Sequence, residues 1–278
     1  MHSVKTRKRV LVVSQTLFLC LIAVFFLVPL YLTVVNAFKA SNEVMSSPLS
    51  FPIPPMLDGI KRILSNKSNS VWAMYRNSII LIVCAVPVNI AISSLASYYI
   101  ARNKTKTSRF LSIYFLAGLM VPYVIVYIPL SLLVRALHLS FGLPLLVLVF
   151  ISGGIPFATF MFTNFIKSIP SDLEEAAALD GAGKFYTFWK IIFPLLKPCT
   201  ATVVIFNGLS VWNDFMTPLL LGQVRTITVG IYTAIGPHST DWALVFGYLL
   251  FAMVPIIIIF LCMQKQFIAG LTAGAAKG

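Results

Sequence analysis

Glu175-Ala176-Ala177-Ala178-Leu179-Asp180-Gly181-Ala182-Gly183, running on through Phe188, Ile191, Pro194 and Pro198, is a polar, helix-prone island between two long apolar stretches. Four of the chain's eight acids, Asp172, Glu174, Glu175 and Asp180, fall within nine residues of it. A chain that concentrates its carboxylates in one water-side loop presents them to something. Ser171-x-x-Glu174 after Pro170 reads as a capping box, in which hydroxyl and carboxylate satisfy the free N–H groups of a first turn. Three alanines then propagate the helix with the best intrinsic propensity, and Asp180-Gly181 fits its end because glycine tolerates the left-handed conformation. Beyond it, Phe185, Phe188, Trp189 and Ile192 recur at i, i+3, i+4 and i+7, an apolar stripe of a second helix that Pro194 and Pro198 disrupt. A short isolated helix is marginal in water, so the first one needs a surface to dock on.

The surrounding composition is that of a membrane protein: 59% hydrophobic, 10% charged, mean hydropathy +0.92. Six apolar stretches are near the ~20 residues needed to span a bilayer. They cover residues 10–38, 72–100, 110–134, 143–166, 199–221 and 242–263, which predicts an all-α membrane protein of six transmembrane helices. With both termini in the cytoplasm, fourteen of the twenty-one Lys and Arg residues lie on the cytoplasmic side, among them Arg102, Lys104, Lys106 and Arg109. Cytoplasmic loops retain positive charge, so this orientation puts segment 167–198 and the tail 265–278 in the cytoplasm. The net charge of +13 thus flanks spans and forms no basic face for nucleic acid. The apolar core Leu17–Val35 exceeds a signal-peptide h-region, which predicts a retained span despite the cleavage-like Val35-x-Ala37.

Cys20, Cys84, Cys199 and Cys262 stand singly, and the three histidines are scattered, so neither a metal site nor a catalytic set is predicted. Gly181-Ala182-Gly183-Lys184 is not a phosphate loop. That pattern needs Gly where Ala178 stands and Ser or Thr where Phe185 stands. In the fifth span, Asn207, Asn213 and Asp214 are candidate pathway residues, since an ionisable group there usually faces protein or water. The other reading is that Asp214 sits near the outer interface and anchors the helix end by capping or hydrogen-bonding it. Gly236-Pro237-His238, at a turn-like position in the loop 222–241, is a candidate outer contact.

The stretch 175–198 resembles the EAA loop of ABC importer permeases, with Glu-Ala-Ala, then Asp-Gly-Ala, then Phe, Ile, Pro and Pro in register. Trp212-Asn213-Asp214-Phe215 and the tail Lys265–Gly278 are similar to those of the carbohydrate, maltose-type permeases, in particular the group of the second permease subunit. The first outer loop, with Pro48, Phe51 and Pro52, fits the same group, and its prolines favour an extended, ordered connection.

The resemblance implies the type I importer permease fold in a bacterial cytoplasmic membrane. It implies uptake of a carbohydrate, in particular an oligosaccharide, with a second related permease, two cytoplasmic ATPases and an extracytoplasmic solute-binding protein as partners. No cofactor is expected in this chain, with ATP and Mg on the ATPases. Glu174, Glu175, Ala176, Ala177, Asp180, Gly181 and Ala182 would form the ATPase-coupling surface, with Glu175 making the charged contact. The tail would reach the ATPase interface, and Gly236, Pro237 and His238 would meet the binding protein. From small-residue composition alone, the tail reads as a flexible end. An ion-coupled secondary transporter or a membrane scaffold is the alternative. The former would need a midplane ion site that these carboxylate-poor spans hardly offer, and the latter leaves the EAA pattern unexplained.

Overall fold

Prolines and polar caps set the ends of helices that hydrophobicity alone would run together. The structure, a computed structural model, describes residues 2–67, 69–236 and 240–275. Its helices in chain order are α1 (His2–Asn36), α2 (Ser41–Ser46), α3 (Asp58–Ser65), α4 (Val71–Arg102), α5 (Lys106–Gly118), α6 (Tyr123–Ala136), α7 (Leu143–Ile166), α8 (Asp172–Leu179), α9 (Lys184–Thr187), α10 (Phe193–Leu195), α11 (Lys197–Asn213), α12 (Ile227–Thr233) and α13 (Trp242–Ala275). Single π-turns at Phe188–Ile192 and Pro218–Gly222 complete them. Among the described residues four helices are long and apolar enough to cross a membrane, or up to six spans if each of two bent pairs counts as one.

The first bent pair corrects the expectation of one continuous span over 110–134. There α5 and α6 meet at 100°. Pro122 lacks an N–H and pushes Val121 away from helical geometry, so the run breaks at Leu119–Pro122. The fifth stretch also ends earlier than expected. Asp214 is extended, with φ −73° and ψ 123°, and closes α11 eight residues before Gly222. The tail departs from its flexible reading as well, because α13 continues as helix to Ala275.

The chain divides into two compact units, Met1–Ser70 with Ile231–Met253 and Val71–Gly230 with Val254–Gly278. In the first, the loop after α1 is ordered by polar groups. The buried Lys39 Nζ donates to the Ser47 carbonyl at 2.8 Å, Asn36 Nδ2 to the Pro48 carbonyl at 3.0 Å, and the Met56 N–H to the Phe38 carbonyl at 2.8 Å. The Arg62 guanidinium bonds Asp241 at 2.6 Å, and Ser41 Oγ accepts the Trp242 N–H at 2.9 Å, which fixes the start of α13. Burial draws Asp241 upward, but hydrogen bonds from Arg62 and the Leu244 N–H, together with the Arg62 charge, hold its carboxyl below the usual carboxylate value.

In the second unit α4 and α7 pack through small and polar side chains, the usual way membrane helices approach closely. Asn89, Ser93 and Ser97 recur every four residues on the buried face of α4. Asn89 Nδ2 donates to the Ile151 carbonyl at 2.7 Å and Ser97 Oγ to the Thr159 carbonyl at 3.0 Å. Two apolar clusters flank this seam. One gathers Ile90, Phe162, Ile166, Phe188, Ile192, Leu196 and Val203; the other gathers Leu81, Tyr127, Leu146, Val149 and Leu221.

Candidate functional site

The island around Glu175 folds as a short helix, a glycine turn and a second helix with a π-turn. Helix α8 ends in a Schellman arrangement. The Ala182 N–H donates to the Ala177 carbonyl at 2.9 Å and the Gly181 N–H to the Ala178 carbonyl at 3.1 Å, with Gly181 at φ 82°. The expected capping box does not form: Ser171 is itself helical and makes no side-chain cap. Its carbonyl instead accepts the Glu174 N–H at 2.8 Å, while the Glu174 side chain turns away from the helix end.

The Glu174 carboxylate meets the end of α4. Arg102 Nε donates to Oε1 at 2.6 Å and the Tyr98 hydroxyl to Oε2 at 2.9 Å. Arg102 Nη2 also donates to the Ile169 carbonyl at 3.0 Å, so one guanidinium holds both the approach to α8 and its first turn. Both side chains of the ion pair are only 18% exposed, where charge-assisted bonds outweigh a cap exposed to water. Tyr98 in turn packs on Phe188, with ring centroids 5.1 Å apart.

Glu174 is therefore spent inside the chain. Glu175, Ala176, Asp180 and Gly181 are exposed, Ala182 is partly so, and Ala177 is buried beneath them. The candidate coupling surface is accordingly Glu175, Ala176 and the glycine turn, without Glu174. Leu173 and Leu179 flank it as exposed apolar side chains, Leu179 at 90%.

The second helix departs from a simple stripe. Phe188 and Ile192 are buried but Phe185 lies open to solvent. The Phe193 N–H reaches back to the Phe188 carbonyl, a five-residue π-turn that shifts the register, and Pro194 then removes the next donor. Helix α11 leaves at 76° to the segment Lys184–Leu195. Phe188, Ile192 and Leu196 enter the same cluster as Phe162 of α7 and Val203 of α11, so the loop's second helix is part of the membrane core's wall.

Deeper in the second unit lies a cavity of about 430 Å³, lined from α4, α6, α7 and α11. Asn207 and Asp214 both line it, whereas Asn213 is exposed and off the lining. Asn207, Ser210 and Asp214 recur at i, i+3 and i+7 along one face, and Asn213 is out of that phase. Asp214 combines its two expected roles. Its carboxylate accepts the Thr217 N–H at 3.0 Å and the Thr217 hydroxyl, fixing the chain after α11, while it borders the cavity. The Thr217 hydroxyl also lies 3.0 Å from that of Tyr127, and the Asp214 carbonyl accepts from Thr228 at 2.9 Å. Sequence reasoning missed Asn89, which receives the Asn207 amide at 3.0 Å; its polarity within span two was the available signal. It also missed the Arg102 pairing, because the partner lies 72 residues away and a basic residue at a span end reads simply as topology.

Of the outer candidates, Gly236 is partly buried next to the bridge between Ile235 and Thr240; Pro237 and His238 lie outside the described residues.

Residues 89–273 match the family described as "Binding-protein-dependent transport system inner membrane component". The multiple sugar-binding transport system permease protein MsmG of Streptococcus mutans serotype c is 35% identical over 261 residues, covering 91% of this chain and 93% of that protein. The melibiose/raffinose/stachyose import permease protein MelC of Bacillus subtilis is 31% identical, over 95% and 96% of the two chains. A solved bacterial ABC transporter involved in import of the acidic polysaccharide alginate shares the fold, with a TM-score of 0.77 at 20% identity over 92% of this chain and 96% of that one. With the family model spanning most of the cavity lining and the whole loop 167–198, the chain belongs to the binding-protein-dependent transport system inner membrane components.

Proposed function

We propose that this chain is a permease subunit of an ATP-binding-cassette importer that takes up an oligosaccharide across a bacterial cytoplasmic membrane. An extracytoplasmic solute-binding protein delivers the sugar, a second related permease completes the pathway, and two cytoplasmic ATPases supply the energy. This subunit needs no cofactor of its own; ATP and Mg belong to the ATPases. The carrying observation is the loop: an exposed Glu175 on a helix whose neighbouring Glu174 is locked to the end of α4 by Arg102. A surface that docks on an ATPase and is tied to a span moves that span when the ATPase closes. The α13 tail would lie beside the same partner, and Gly236 with the segment after it would face the binding protein. MsmG and MelC, named as sugar permeases, support the substrate class.

The test is uptake by a strain lacking this chain, using a panel of labelled neutral and acidic oligosaccharides. Loss of uptake of one saccharide class, restored by the gene, is expected, while the purified chain alone hydrolyses no ATP. Unchanged uptake of every saccharide overturns the reading.

A further inference from the structure

We infer that the cavity between α4, α6, α7 and α11 is a sugar-contact site of this subunit itself, selective for a neutral saccharide; this rests on the importer reading above. Its volume, about 430 Å³, lies within the roughly 300–1,000 Å³ of small-molecule sites. Such sites combine an apolar wall with a few placed polar groups, and the polar groups here suit hydroxyls.

Asn207 Nδ2 donates to Asn89 Oδ1 at 3.0 Å, and Asn89 Nδ2 to the Ile151 carbonyl at 2.7 Å. These two bonds fix the amide pair and leave Asn207 its carbonyl oxygen and second N–H. An amide that offers one donor and one acceptor is the complement of a hydroxyl, which is both. The pair rests on Gly154, where a Cβ would stand 2.8 Å from each amide nitrogen. Any larger residue would displace them. Gly153 performs the same service for Tyr123, whose hydroxyl would lie 1.6 Å from an added Cβ. The phenol end therefore seats against α7, where Tyr123 lines the cavity and adds an aromatic side chain to its apolar wall. Ser210, one turn along α11 from Asn207, adds an exposed hydroxyl with no hydrogen bond from its side chain to the described protein.

Charge decides the class. Among the described lining residues Asp214 is the single carboxylate, and there is no Lys, Arg or His. A carboxylate accepts from sugar hydroxyls, but it repels a uronate or a sugar phosphate in a low-dielectric site with no cation to offset it. The solved transporter of the same fold imports an acidic polysaccharide, so the charge of this lining, not the fold, sets the preference.

The experiment uses the assembled importer in proteoliposomes, with Ser210→Cys introduced after the four native cysteines are replaced by alanine. The probes are raffinose, maltotriose, arabinotriose and trigalacturonate. A neutral probe that the assembly imports should slow maleimide labelling of position 210 severalfold, and trigalacturonate should leave the rate unchanged. In the otherwise native chain, Asn207→Leu should lower uptake of that probe about tenfold at subsaturating concentration, the scale of one lost hydrogen bond. Labelling that ignores an imported neutral probe, or wild-type uptake by Asn207→Leu, overturns the site and leaves the importer reading standing. Import of trigalacturonate in preference to the neutral probes overturns the selectivity, and import of no saccharide overturns both.

Discussion

Arg102 and Glu174 form an ion pair at 2.6 Å that fastens the first turn of α8 to the last turn of α4. The pair matters because α8 is only eight residues long and would not persist as an isolated helix. Its stability comes from what it is tied to: Arg102, Tyr98 and the buried Ala177.

Removal of this tie should separate docking from coupling. Glu174→Ala leaves Arg102 without its acid and Tyr98 without its acceptor, at a cost of roughly 1.5–3 kcal/mol for each charged hydrogen bond. The expected result is retained ATPase subunits with less sugar moved per ATP, and faster amide exchange over 172–182. Glu174→Gln should be milder, because an amide can still accept from Tyr98. Equal transport by both variants and wild type would reduce the pair to a surface decoration.

Glu175 is the complementary case, since it is exposed and makes no ion pair within 4.0 Å among the described residues. Glu175→Lys should leave insertion and folding intact but weaken association with the ATPases, by on the order of 2–5 kcal/mol where the contact is desolvated. Co-purification at two salt concentrations measures this. Normal retention together with wild-type uptake would make Glu175 an ordinary solvated carboxylate.

Gly181 offers a test in which sterics and backbone strain are already separated. No atom lies within 4 Å of a Cβ added there, so only its φ of 82° resists substitution. Gly181→Val should destabilise the turn by about 1–2 kcal/mol, and Gly181→Asn by less, because Asn visits the left-handed region more readily. Protease sensitivity of the loop in the purified protein should rank valine above asparagine above glycine. Indistinguishable rates would mean that the turn finds another closure.

The parts of this architecture visible in the sequence are those with short-range causes. Gly181 at a helix end, alanines within α8 and apolar runs over α4 and α7 each follow from neighbours within a few residues. The inward turn of Glu174 was not legible, because a local cap and a distant arginine compete and only the tertiary fold brings Arg102 close. The bend at Pro122 was hidden by uniform hydrophobicity on both sides, although the proline itself was the sign. In α11 two members of the cavity face, Asn207 and Asp214, were readable from the sequence; Ser210, in helical phase with them, was overlooked, and Asn213, adjacent to Asp214 but out of phase, lies off the lining.

Asp241 supplies a pH test on the outer side. Its carboxyl titrates below the ordinary value of about 3.9 because Arg62 and the Leu244 N–H favour the charged form over the effect of burial. A depressed native pKa means that the stabilisation is fully present above the unfolded value and is lost as pH falls through the native one. The clip should therefore hold α3 to the start of α13 at neutral pH and release it only in strongly acidic solution. Because Arg62 is half exposed, the pair is worth roughly 0.2–1 kcal/mol, and salt should weaken it. Thermal unfolding of wild type and Asp241→Asn in detergent, followed from pH 7 downward, should show a small gap that closes at low pH. A gap that widens on acidification would mean that the neutral form of Asp241, and not its ion pair with Arg62, is what stabilises this end of the chain.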